Sequence, residues 1–153
     1  MRDNRHLLDE LEISKLPVAY AWAMDSKDID LLMSVFAEGV EYDVSSLGFP
    51  PIVGKEAVRQ FYLTQVFPRE EASFSSISNI RIELRGDTAI GGDYFMHYGY
   101  HSTGSALPTI TFGQHLYEFA KENGEWKIKS MKGRLTYQST EAMNDSSGLG
   151  SRP

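Results

Sequence analysis

Thr88-Ala89-Ile90-Gly91-Gly92-Asp93-Tyr94-Phe95-Met96-His97-Tyr98-Gly99-Tyr100-His101 is the stretch on which the fold turns. It reads as one long strand, with Gly91-Gly92 as a bend inside it. Arg85-Gly86-Asp87 reads as the turn leading into it, and Ser75 to Leu84, alternating through Ile77, Ile80 and Ile82, as the strand before. Downstream, Ser102 to Pro108 reads as a loop and Thr109–Ala120 as a strand. Lys121-Glu122-Asn123-Gly124 is a hairpin turn, and a last strand runs from Glu125 to about Tyr137. The second half is therefore predicted to be a meander of four long antiparallel strands.

The first half has helical spacing. Ile13, Leu16, Pro17, Tyr20 and Met24 recur at a helical period, predicting a helix from about Leu7 to Met24 bent at Pro17. Asp25-Ser26-Lys27-Asp28 supplies caps for a second helix from Ile29 to about Ala37, with Gly39 as its stop. Val40 to Val44 alternates as a strand, Ser45 to Pro51 is a breaker-rich loop, and Gly54 onward is a third helix ending before Pro68. Helices on one face of an antiparallel sheet make an α+β fold. Residues 1–138 are expected to form one domain, with 139–153 a flexible, polar, Ser/Gly-rich tail.

Composition narrows the chemistry. The 153 residues suit one domain with a real core, and none is cysteine. That removes disulfides, zinc–cysteine sites, iron–sulfur clusters and thiol nucleophiles. Fifteen Lys+Arg against 21 Asp+Glu, with no basic run, argues against nucleic acid as a partner. No apolar run approaches a membrane span, and Met1–His6 lacks the pattern of a signal peptide, so a cytoplasmic protein is expected. No nucleotide fingerprint and no Gly-x-Ser-x-Gly elbow is present, and no cofactor is expected.

The order and spacing of several short pieces resemble the SnoaL-like, NTF2-like superfamily. They are Tyr20-Ala21-Trp22-Ala23-Met24-Asp25-Ser26-Lys27-Asp28, Leu32, Phe36, Tyr42-Asp43, Gly54-Lys55-Glu56-Ala57-Val58, Asn79-Ile80, Gly86-Asp87-Thr88-Ala89 and Gly124-Glu125-Trp126-Lys127-Ile128. The resemblance implies a cone: three N-terminal helices packed on a strongly curved, mainly antiparallel sheet that encloses a pocket. It also implies a homo-oligomer, dimer or trimer. The Tyr20–Asp28 segment most resembles the scytalone dehydratases. The tyrosine before that family's aspartate is Met24 here, and its first-strand tyrosine falls at Val44. Its two catalytic histidines fall near Ser75 and Gly99, and its serine and asparagine on the penultimate strand at Gly113 and His115. Only Asp25 is kept, and the Asp–His dyad of the related dehydrochlorinases lacks its histidine too.

Strand parity sorts the remaining polar residues. Phe95, His97, Gly99 and His101 share one face, and Tyr94, Met96, Tyr98 and Tyr100 the other. Gly113, His115, Tyr117 and Phe119 share a face on the next strand. The resemblance places the Gly99 and Gly113 faces toward the pocket, which turns His97, His101, His115 and Tyr117 inward. Imidazole, with an unperturbed pKa of roughly 6.5, suits proton transfer near neutrality. Asp25, His97 and His115 are the candidate catalytic residues; Tyr20, Tyr42, His101 and Tyr117 are candidates to bind substrate. Each has a plainer alternative: Asp25 or Asp28 as a helix cap, the histidines and tyrosines as satisfied core residues. A His₃ metal site is disfavoured, because His97 and His101 stand about 13 Å apart on an extended strand. Tyr94, Tyr98 and Tyr100 are assigned to packing under the helices or to a dimer surface. Leu47, Phe49, Phe67-Pro68 and Tyr137 are placed at the pocket rim. The expected activity is cofactor-independent acid–base catalysis on a small hydrophobic oxygenated intermediate of polyketide or terpenoid type, as a cyclase or isomerase. The alternatives are a scytalone-dehydratase-like lyase and a non-catalytic ligand-binding or dimerisation module.

Overall fold

The structure, a computed structural model, describes residues 4–101 and 108–139. The long strand expected from the sequence is present. This strand, β4 (Thr88–Tyr100), pairs antiparallel with β3 (Ala72–Arg85) and β5 (Thr109–Glu122), and β5 pairs with β6 (Glu125–Ser139). Asn123 and Gly124, at φ +54° and +83°, form the left-handed pair that a two-residue hairpin needs. β1 (Phe36–Asp43) adds in parallel to the free side of β6, and β2 (Ile52–Val53) closes that edge. The six strands run β2-β1-β6-β5-β4-β3 in one curved, open sheet, an α+β architecture that fits the expected cone.

Bulges shape the sheet. β6 slips against β5 between Glu118 and Phe119 and again between Phe112 and Gly113. Each slip adds one residue on β6, which bends and twists the strand. It also resets which residues face inward, so Trp126, Ile128 and Met131 are all buried although their spacing is uneven. β3 slips between Ser78 and Arg81, with Asn79 at φ +53°. The alternation expected through Ile77, Ile80 and Ile82 breaks there. Ile80 stands on the outer side, while Ile82 and Leu84 pack on the core. β4 and β5 keep register without a slip from Thr88↔Ala120 to Gly99↔Thr109.

The first helix, α1 (Asn4–Ser26), runs unbroken through Pro17 and packs against β3 and β6. It buries Asp9, Ile13, Pro17, Tyr20, Ala21 and Ala23. The Asp9 carboxylate accepts bonds from Trp126 Nε1 at 2.7 Å and Lys121 Nζ at 2.8 Å, fastening the helix to the β5–β6 hairpin. The cap of α2 (Ile29–Ser34) is Asp28, whose Oδ1 accepts from the amides of Asp30 and Leu31, so Asp25 is not the cap. α2 ends at Ser34 rather than near Ala37, and Gly39 lies inside β1. Sheet pairing overrides helical spacing here: Ile128 donates its amide to the Val35 carbonyl, and Phe36 pairs with Ile128. The third helix is composite. α3 (Lys55–Phe61) passes into a π-turn over Tyr62–Val66 and a 3₁₀ turn over Phe67–Arg69.

The core joins Ile13, Leu32, Phe36, Val40, Val58, Phe119 and Ile128, all fully buried, between helices and sheet. The helices do not cover the outer sheet face. Tyr94 and Tyr100 are half exposed there, so of the two roles expected of them, packing under helices or a dimer surface, they do not take the first. The loop expected at Ser102–Pro108 lies outside the described residues except for Pro108, as does the C-terminal tail beyond Ser139. No helix among the described residues is long and apolar enough to cross a membrane.

Two close approaches generate predictions. A Cβ at Gly113 would press into the Arg134 carbonyl oxygen and meet Phe95 Cε1 at 2.8 Å. Gly113→Ala is expected to cost about 1–3 kcal/mol by overpacking, read as a lower denaturant midpoint. Asp43 accepts from Ser45 and from Lys132 Nζ at 3.1 Å, and these bonds lower its pKa from the ordinary 3.8 to about 2. A carboxyl whose pKa falls on folding stabilises the fold above its unfolded pKa, and loses that contribution as pH falls through the folded one. Asp43→Asn should therefore lower the melting temperature at neutral pH, and the gap to wild type should close between about pH 4 and pH 2.

Candidate active site

The curved sheet, α1 and the composite third helix enclose a cavity of about 270 Å³. Its walls are largely apolar, with Met24, Val44, Phe49, Phe61, Ile77 and Phe95 among them. Three separate polar groupings break that surface.

The first is a ring of phenols. Tyr20 comes from α1, Tyr42 from β1 and Tyr62 from the π-turn, and all three line the cavity. Their hydroxyls lie 2.6 Å apart for Tyr42–Tyr62, 2.8 Å for Tyr20–Tyr62 and 3.3 Å for Tyr20–Tyr42. Burial raises the pKa of each, so all three stay protonated at neutral pH. The two short bonds use two of the three protons and leave one hydroxyl to donate to an oxygen in the cavity.

The second grouping sits on the unbroken β4–β5 register, where Asp93 stands directly across from His115. The Asp93 side chain is fully buried. Its Oδ1 accepts from His115 Nδ1 at 2.9 Å and its Oδ2 from the Tyr117 hydroxyl at 2.7 Å. Burial, with the Asp93 carboxylate beside it, raises the Tyr117 phenol pKa well above its ordinary value, which keeps Tyr117 a donor. The His115 ring is stacked on Phe95, centroids 4.2 Å apart, and meets the Tyr20 ring edge-on at 5.7 Å.

The third grouping crosses β3 and β4, where Ser75 stands across from His97. The Asp25 carboxylate accepts from the Ser73 hydroxyl at 2.8 Å, the Ser75 amide at 2.7 Å and the Ser75 hydroxyl at 2.8 Å. Ser75 Oγ in turn lies 2.9 Å from His97 Nδ1. His97 Nε2 lies 3.0 Å from both oxygens of Glu70. Gly99 makes this possible, because a Cβ there would occupy the space of the Glu70 carboxylate.

The structure brings His97, His101, His115, Tyr20 and Tyr42 to the cavity wall. Asp25 stands one layer behind, reaching His97 through Ser75, and Tyr117 stands behind Asp93. His101 donates from Nδ1 to the Arg69 carbonyl, with Nε2 3.3 Å from Thr109 Oγ1. Leu47 and Phe49 line the cavity as expected of its rim. Phe67 and Tyr137 do not: Phe67 packs on Tyr62, and Tyr137 stacks on Phe112, while Val66, Arg69 and Gln138 take the lining positions. Among the described residues no three His, Asp or Glu side chains converge as metal ligands.

Glu70, Asp93 and Tyr62 are the residues that sequence reading missed. Asp93 shares the parity of Phe95 and His97, so the rule that found the histidines also reaches it. Glu70 lies between a 3₁₀ turn and a strand, where no period applies. Tyr62 owes its direction to a π-turn that helical spacing does not foresee.

The fold has close relatives among solved structures. A type-3 hexachlorocyclohexane dehydrochlorinase from Novosphingobium barchaimii LL02 superposes with a TM-score of 0.81 at 21% identity, covering 90% of this chain and 93% of that one. A candidate scytalone dehydratase from Novosphingobium aromaticivorans DSM 12444 gives 0.80 at 19% identity, covering 92% and 93%. A candidate aromatic ring hydroxylase from Novosphingobium aromaticivorans gives 0.76 at 26% identity, covering 88% and 94%. No curated protein matches the sequence. The sequence matches the SnoaL-like domain profile over residues 5–132, most of its length. The match, and a cavity held between helices and a curved sheet, establish that this chain belongs to the SnoaL-like domain family.

Proposed function

We propose that this protein is a cofactor-independent enzyme that moves protons on a small, hydrophobic, oxygenated molecule, by lyase- or isomerase-type chemistry. The observation that carries this reading is His115 in the cavity wall with the buried Asp93 carboxylate behind it. A buried carboxylate fixes one ring nitrogen and leaves the other for a reacting atom, the usual geometry of an oriented general base. The phenol ring supplies a donor for a substrate oxygen, and His97 with Glu70 supplies a second titratable group.

Size and lining describe the substrate. An apolar cavity of about 150 Å³ holds one benzene ring, so 270 Å³ admits a bicyclic molecule of roughly twice that bulk. Dehydrochlorinase and dehydratase, the names borne by two structural relatives, are both names of eliminations, which supports lyase chemistry. Cyclisation or isomerisation of a polyketide- or terpenoid-like intermediate requires the same proton removal and return, and stands as the second reading. It is favoured by the replacement of the dehydratase histidine positions with Ser75 and Gly99.

The test incubates the protein with scytalone and with hexachlorocyclohexane, following loss of water or of hydrogen chloride by mass spectrometry. Turnover of either, lowered about 10²- to 10⁴-fold by His115→Ala and less by Asp25→Asn in variants that keep the native circular dichroism, is the expected result. Binding without turnover would identify a ligand-binding module instead. If both variants remain fully active, the acid–base assignment is wrong.

We also propose that the protein is a homo-oligomer whose second copy covers the outer sheet face, where Phe74, Tyr94, Tyr100, Leu116 and Tyr137 are exposed together. Sedimentation velocity should show a dimer or trimer that Tyr94→Glu dissociates. A monomeric wild type at micromolar concentration overturns this.

A further inference from the structure

We infer that the two imidazoles of the cavity hold opposite proton states, His97 with Glu70 being the site's proton donor and His115 its proton acceptor. The inference rests on the acid–base reading above and deepens it, because it fixes which end of a substrate faces which group.

The argument is an accounting of donors. Three bonds reach Asp25, and in all three the partner donates. The only proton of the Ser75 hydroxyl is therefore spent on Asp25, and Ser75 Oγ can only accept from His97. His97 Nδ1 must then carry a proton. A neutral ring protonated at Nδ1 has a lone pair at Nε2, yet Nε2 lies 3.0 Å from both oxygens of Glu70. A lone pair facing a carboxylate would be two acceptors in repulsion. One proton must lie between them, shared by His97 Nε2 and Glu70. Lys27 Nζ bonds the backbone carbonyl of Glu70, not its carboxylate, so it holds the segment without supplying that proton.

The same accounting gives the opposite answer at His115. Asp93 takes the Nδ1 proton at one oxygen and the Tyr117 proton at the other. Nε2 has no protein partner among the described residues, while the ring lines the cavity. Phe95 covers one face and Tyr20 abuts the ring. In its neutral form the ring keeps its proton on Nδ1 and presents the Nε2 lone pair to the cavity, which makes His115 the acceptor.

A substrate would then lie with a C–H bond toward His115 and an oxygen toward His97. In an elimination, His115 Nε2 takes the proton from carbon, and the C–H pair becomes the new C=C bond. The C–O pair leaves with oxygen, which takes the proton from His97 and departs as water. His115 has gained one proton and His97 has lost one, and exchange with solvent restores both.

The test needs no substrate. In protein labelled with ¹⁵N-histidine, long-range ¹⁵N–¹H spectra at pH 7 report the protons on each ring nitrogen, assigned with His97→Asn and His115→Asn. His97 should show both nitrogens protonated and His115 the neutral form with its proton on Nδ1. Glu70→Gln should remove the Nε2 proton of His97, because the amide can donate to the ring instead. Gly99→Ala should do the same with Glu70 still in the sequence, since the added methyl displaces its carboxylate. A neutral His97 in the wild type, or a His97 that stays doubly protonated in both variants, overturns the assignment. These spectra are independent of turnover, so an inactive protein with the expected proton states would refute the enzyme reading and leave the accounting intact.

Discussion

The buried carboxylate of Asp93 is the constraint on which the cavity depends. An ionised carboxylate removed from water is tolerated only when its oxygens are met by donors. Here both donors come from the neighbouring strand, His115 directly opposite and Tyr117 two residues on. That pairing exists only in one register, because a slip of one residue would turn the donors outward and leave the charge unmet. The same register places Phe95 beside Gly113, where a side chain has no room, and so lays the Phe95 ring against His115. The irregularities lie where they do no harm to this arrangement: two on β6 against β5, one on β3 beyond Ser75, one on β1 between Phe36 and Glu41, and none between β4 and β5.

The strand half of the fold was legible because period-two alternation survives on β4 and β5. Parity put His97 with His101 and His115 with Tyr117, and the family resemblance turned both faces toward one cavity, where the three histidines stand. Where a bulge adds a residue, alternation misleads, as with Ile80 on β3. The α2–β1 junction was misread for a different reason. Leu32, Met33 and Phe36 have helical spacing, but parallel pairing with β6 is worth more to the chain at Phe36 than another helical turn. The partners of the histidines were least legible. Glu70 reaches His97 from 27 residues away in sequence, and only the empty side of Gly99 makes room for it. Asp25, a candidate catalytic residue by sequence, reaches the cavity only through a serine hydroxyl.

The family resemblance is informative where it fails. The histidine positions of the dehydratases correspond to Ser75 and Gly99, neither of which titrates. Imidazole has instead moved one strand over, to His97, directly across from Ser75. The serine keeps the connection to Asp25, and the glycine opens the space that Glu70 fills. A carboxylate–imidazole link is thereby rebuilt from different strands within the same cone.

The two ends of α1 are both fastened. Asp9 is tied to Trp126 and Lys121 at the β5–β6 hairpin, and Asp25 is tied to Ser73 and Ser75 on β3. Sixteen residues at 1.5 Å of rise put these anchors about 24 Å apart. The helix is thus a beam clamped across the basket rather than a flap hinged on it. Across the cavity from the beam, the lining comes from Leu47, Phe49, Arg69 and Gln138, on short turns and a strand end. The longest helix of the described residues is part of the frame, and the short elements complete the wall.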